Sequence, residues 1–132
     1  MITVLFACVH NAGRSQIAAS LFNHYADPIR FRALSAGTQP ASHVHPEVVA
    51  AMRSRGIDLS QNTPQRLTPE LAAEAQWLIT MGCGDECPIV PGARREDWPI
   101  ADPKGQPEAV VAAIMADIDQ RVRDLIASLN SG

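Results

Sequence analysis

The sequence predicts a single α/β domain over residues 1–132, a parallel sheet with helices on both faces. Short apolar runs alternate with segments of helical period, the pattern of strands joined by crossover helices. The first run, Ile2 to Ala7, is apolar at nearly every position, as in a strand buried on both faces. No repeat, linker or low-complexity tract interrupts the chain, and 46% hydrophobic content suffices for one core.

The elements follow in order. After the first strand comes Cys8-Val9-His10-Asn11-Ala12-Gly13-Arg14-Ser15, then a helix on which Ile17, Ala18, Leu21, Phe22 and Tyr25 recur at helical spacing. Asp27-Pro28 ends that helix. Phe31 to Ala36 reads as a second strand, closed by Gly37. Pro46-Glu47 opens a second helix, with Val48, Val49 and Met52 inward and Gly56 beyond its end. Thr68 is the N-cap of a short helix. Trp77 to Met81 is a third strand, and a Pro- and Gly-rich stretch follows. Pro107-Glu108 then opens the last helix, whose stripe is Val111, Ile114, Met115, Ile118, Val122, Leu125, Ile126 and Leu129.

Composition excludes several function classes. A net charge of −3 gives no broad attraction to nucleic acid or anionic lipid, so a bound anion needs a local site. No apolar stretch approaches a membrane span. The N-terminus lacks a basic region and a cleavage site, so a cytoplasmic location is expected. The chain has 3 cysteines, Cys8, Cys83 and Cys87, and an odd number without an export signal argues against a static disulfide framework.

Open α/β sheets bind ligands at the carboxyl ends of their strands, which is where the Cys8 loop falls. Backbone N–H groups of Val9, His10, Asn11, Ala12 and Gly13 can form a concave anion nest there. The following helix N-terminus adds partial positive charge. Asn11 can lock the loop, and Gly13 permits backbone conformations that larger residues resist. Arg14 supplies a fork matched to two oxygens of a tetrahedral anion. The same field favours the Cys8 thiolate, and Ser15 is placed to donate a hydrogen bond to it. The bland alternative is a structural Cys8 and a surface Arg14.

Taken together, Cys8 to Gln16 resembles the phosphate-binding loop of the low-molecular-weight tyrosine phosphatase superfamily. Arg14-Ser15-Gln16 is similar to its arsenate reductase branch, where the phosphatases usually carry Arg-Ser-Pro. Those phosphatases also tend to place a second cysteine where this chain has Gly13. Further similarities are Ser35-Ala36-Gly37-Thr38, Gly56-Ile57-Asp58-Leu59-Ser60, Gly82 to Pro88, and Asp102-Pro103. They cover essentially the whole chain. The resemblance implies a phosphatase-like fold and attack by Cys8 on an arsenate- or phosphate-like oxyanion.

Expelling an oxygen from such an anion calls for a general acid. Asp102-Pro103 resembles the family's acid loop, and Asp97 is the local competitor. Cys83 and Cys87 admit three readings: unrelated buried thiols, zinc ligands with His43 and His45, or a redox pair. The resemblance to thioredoxin-coupled arsenate reductases implies the last. In that relay Cys83 attacks the Cys8 adduct, releasing arsenite and leaving a Cys8–Cys83 disulfide. Cys87 resolves it to Cys83–Cys87. The better-known members space these two cysteines more widely, so a low-molecular-weight thiol route stays open. Gly82 and Gly84 suggest a loop able to move. No tightly bound cofactor is expected, with electrons from thioredoxin or a small-thiol system. A phosphotyrosine phosphatase and a non-catalytic oxyanion or redox sensor are the competing functions.

Overall fold

The computed structural model describes residues 1–82 and 92–131. Cys83 and Cys87 therefore lie outside the described residues. The elements are β1 (Ile2–Cys8), α1 (Arg14–Tyr25), β2 (Phe31–Gly37), α2 (Pro46–Arg53), α3 (Pro69–Ala73), β3 (Trp77–Thr80), β4 (Arg94–Asp97) and α4 (Glu108–Ser131). They form a four-stranded sheet in the order β2-β1-β3-β4, parallel throughout.

Alternation along β1 assigns its two faces. Val4, Phe6 and Cys8 join the main core with α1 and α4, while Leu5 and Ala7 join a smaller cluster beneath α3. Phe6 meets Phe22 edge-on at 6.1 Å and Trp98 at 5.6 Å. Burying each such side chain contributes about 1.5–3 kcal/mol. The α4 stripe is buried from Val111 to Leu125, with Ile126 and Leu129 partly covered. Thr68 caps α3, its hydroxyl accepting the Leu71 N–H at 3.1 Å. Among the described residues no helix is long and apolar enough to cross a membrane.

Three boundaries differ slightly from the sequence expectation: β1 runs on to Cys8, β2 runs on to Gly37, and β3 ends at Thr80. The larger difference is β4. Its Arg94-Arg95-Glu96-Asp97 is exposed and charged at every position, so no apolar period betrays it. Pairing with β3 makes it a strand, and its charges blunt the sheet edge. Arg94 lies over the Trp77 ring at 4.5 Å. The sheet order changes direction between β1 and β3. The Cys8 loop leaves β1 at that switch point.

Candidate active site

The loop from Cys8 to Arg14 is held from outside by its carbonyl groups. Cys8 O, Val9 O, His10 O and Ala12 O accept the N–H groups of Thr38, Gln39, Ala41 and His45, at 2.7–3.2 Å. In a trans peptide the next N–H points opposite to the carbonyl. The N–H groups of Val9, His10, Asn11 and Gly13 are thereby turned away from that wall, as an anion nest requires. Gly37 makes the wall possible, because a Cβ there would stand 2.6 Å from Val9 O and 2.9 Å from Asn11 N.

Asn11 ties the loop together. It is fully buried and takes φ of 50°, in the left-handed region that side chains ordinarily resist. Its Oδ1 accepts the Gln65 N–H at 2.9 Å, and its Nδ2 donates to Ser15 Oγ at 2.7 Å. Gln16 Nε2 donates to Asn11 O at 3.1 Å, bracing the same residue from α1. Asn11 is the non-glycine residue with positive φ among the described residues, and Gly13 sits at φ of −140° and ψ of −91°, outside the regular helix and strand regions. Gly13 also sits in tight quarters. A Cβ there would stand 3.0 Å from Pro103 Cγ and 3.4 Å from His45 Cδ2.

Ser15 Oγ lies 2.8 Å from Cys8 Sγ. With Asn11 donating to that hydroxyl, the Ser15 proton is free to go to sulfur. Cys8 is only 2% exposed, so its sulfur is buried beneath the loop.

Arg14 opens α1, and its Nη1 donates to Ile100 O at 3.0 Å. The guanidinium also lies against Gly82, which has φ of +88° and no room for a side chain. Its Nη2 stands 3.9 Å from Asp102 Oδ2. Asp102 Oδ1 accepts the Lys104 N–H at 3.0 Å, and Pro103 is buried against the Cys8 loop. Asp97 is employed elsewhere. The Thr80 hydroxyl hydrogen-bonds its carboxylate, and Arg95 Nε lies 3.2 Å from it. Those contacts, Thr80 first, hold Asp97 below the usual aspartate value. Burial holds His45 below the ordinary histidine value, despite Glu47 and Asp102 nearby.

This geometry is a buried cysteine sulfur under an amide nest, with an arginine opening the next helix and a carboxylate 3.9 Å from that arginine. The model of the low molecular weight phosphotyrosine protein phosphatase family matches residues 3–132. The chain belongs to that family. Among its family relatives, the chain is 36% identical to an arsenate reductase of Bacillus licheniformis over 132 residues. That match covers 94% of this chain and 88% of the relative. It is 32% identical to the glutaredoxin arsenate reductase of Synechocystis sp., covering 98% of this chain and 100% of that one. Of solved structures, the thioredoxin-dependent arsenate reductase of Corynebacterium glutamicum superposes with a TM-score of 0.83 at 41% identity. The match takes in 98% of this chain and spans 62% of the length of that one.

Within this family member, sequence reading had named Cys8, Arg14 and Ser15; the structure brings Cys8 and Ser15 into contact and sets Arg14 beside Ile100 and Asp102. Sequence reading did not find the supporting glycine, Gly37, or the contact of Gly82 with Arg14. Ser35-Ala36-Gly37-Thr38 had flagged the first segment without saying what the glycine does. Nothing in the sequence flagged Ile100 O as the anchor of Arg14.

Proposed function

We propose that this protein is a thioredoxin-coupled arsenate reductase with Cys8 as its nucleophile. The Cys8 thiolate attacks arsenic, Asp102 protonates the departing oxygen, and water leaves with a sulfur–arsenic bond formed. The N–H groups of the loop and the Arg14 fork hold the three remaining oxygens, where negative charge develops. Cys83 then attacks Cys8 Sγ. The sulfur–arsenic electron pair passes to arsenic, which leaves as arsenite, and Cys8 and Cys83 share a disulfide. Cys87 displaces Cys8 from Cys83, and the thioredoxin dithiol reduces the resulting Cys83–Cys87 bond.

The observation that carries this over a phosphotyrosine phosphatase is where the aromatic side chains are spent. The chain has only 3 Phe, 1 Tyr and 2 Trp. Phe6, Phe22, Phe31 and Trp98 are buried in the core, and Trp98 Nε1 donates to Glu96 Oε1 at 3.0 Å. Tyr25 closes the far end of α1, hydrogen-bonded to Asp119. Trp77 lies at the N-terminal end of β3 beneath Arg94. None is left at the Cys8 loop to stack on a phosphotyrosine ring. An inorganic oxyanion needs no such partner. Similarity to arsenate reductases along nearly the whole chain supports the same reading.

The test is arsenate-dependent NADPH oxidation, with thioredoxin and its reductase in one arm. The printed name of the Synechocystis relative makes glutaredoxin with glutathione the proper second arm. Turnover with thioredoxin is expected. Turnover in the glutaredoxin arm alone replaces the internal relay with an external thiol. Absence of arsenate reduction in both arms overturns the assignment.

A further inference from the structure

The start of α2 holds two different loops at once. The backbone N–H of His45, immediately before α2, donates to Ala12 O at 2.9 Å, inside the nucleophile loop. Glu47, in the first turn, accepts the Gly105 N–H at its Oε1 at 3.0 Å, inside the loop that carries Asp102. Pro103 and the His45 ring both pack beside Gly13 of the Cys8 loop.

We infer that Glu47 is a positioning residue that latches the Asp102 loop onto the Cys8 loop through the Gly105 amide. This rests on the reading of Asp102 as the general acid. The Asp102 loop is a compact turn. Lys104 N–H returns to Asp102 Oδ1 at 3.0 Å, and Gln106 N–H returns to Pro103 O at 3.1 Å. Gly105, with φ of +70°, completes it. Pinning Gly105 therefore pins Asp102 with it. On the other side the turn is tethered through Ile100, whose carbonyl accepts from Arg14. The Asp102–Arg14 contact itself is 3.9 Å, too long for a hydrogen bond. Glu47 supplies the direct bond that this side lacks.

Glu47 is suited to the task. Burial pushes its carboxyl up, but the Gly105 amide, its own backbone amide and nearby His45 outweigh that and hold it below the usual glutamate value. It is an anion accepting a backbone N–H, a stronger acceptor than a neutral group. The competing explanation is that Glu47 only complements the positive end of α2, as first-turn acids commonly do. The two explanations diverge at Glu47→Gln. That variant loses the charge but keeps the Oε1 acceptor.

The experiment uses the full chain and two readouts, amide hydrogen exchange at Gly105 and steady-state arsenate reduction. Glu47→Ala is expected to speed Gly105 exchange and lower kcat by roughly three- to tenfold, the population ratio that one net hydrogen bond sustains. Arsenate KM stays unchanged, because the anion is held by the Cys8 loop. Glu47→Gln is expected to restore both readouts towards wild type. Glu47→Ala added to Asp102→Asn slows the enzyme no further, since the latch acts only through Asp102. Unchanged Gly105 exchange in Glu47→Ala, a Glu47→Gln variant as impaired as Glu47→Ala, or additive losses in the double variant would each overturn the latch. Wild-type kcat in Asp102→Asn overturns the acid assignment instead, and Gly105 exchange then decides the latch alone.

Discussion

A side chain on Gly82 would run into the guanidinium of Arg14. Gly82 follows β3 by two residues at φ of +88°, so a side chain there would meet both a left-handed backbone and the Arg14 guanidinium. Sequence reading valued this glycine as a hinge. The structure adds that it lies against the Arg14 guanidinium.

Gly82→Ala is therefore expected to cost about 1–2 kcal/mol from the left-handed backbone alone. By displacing Arg14 it should also raise the arsenate KM roughly tenfold, the worth of one charge-assisted hydrogen bond. Thermal melting and steady-state kinetics separate the two effects. A variant with a lowered Tm and wild-type KM would show that Arg14 finds the anion from another position.

Asp102→Asn should slow formation of the Cys8 adduct by roughly 10²–10⁴-fold, the range for general acid catalysis. Asp97→Asn should leave that step nearly unchanged, since the Asp97 carboxylate is spent on Thr80 and Arg95. Rapid-quench measurement of one arsenate turnover reads both. The reverse ranking would transfer the acid role to Asp97.

Cys83→Ser should stop arsenite release, leaving the Cys8 adduct without an intramolecular attacker. Cys87→Ser should complete one turnover and trap a Cys8–Cys83 disulfide. Mass spectrometry after a single arsenate pulse distinguishes them. Multiple turnover by Cys83→Ser with a small thiol on Cys8 would rule out the internal relay.

Asp119 joins three elements away from the site. It accepts from Tyr25 Oη at 2.6 Å, Arg123 Nε at 2.8 Å and Arg55 Nη1 at 3.0 Å. Burial pushes its carboxyl up, but Tyr25, Arg123 and Arg55 outweigh that and hold it below the usual aspartate value. A depressed native value adds stability above the unfolded value, and that stability is lost as pH falls through the native one. Asp119→Ala should cost about 1–3 kcal/mol at neutral pH, with little change in arsenate kinetics. The gap in Tm between variant and wild type should close below roughly pH 4. A gap that persists in acid would make the loss one of packing.

What the residues determine by themselves is local. The apolar run of β1, the helical stripe of α4 and the cap at Thr68 were legible because each depends on neighbours within a turn or a strand. The strand, cysteine loop, arginine and helix order was legible for the same reason, and it placed an anion site at the end of β1. Contacts between distant residues were not legible. Arg14 is fixed by a carbonyl 86 positions away, and Asn11 by an amide 54 positions away. No periodicity reports such a pairing. The all-charged β4 became a strand only because β3 offered it backbone partners, and Asp97 went with it to Thr80. Asp102, which the Asp102-Pro103 pair had marked in the sequence, is the carboxylate that stands 3.9 Å from Arg14, a distance set by packing around the loop.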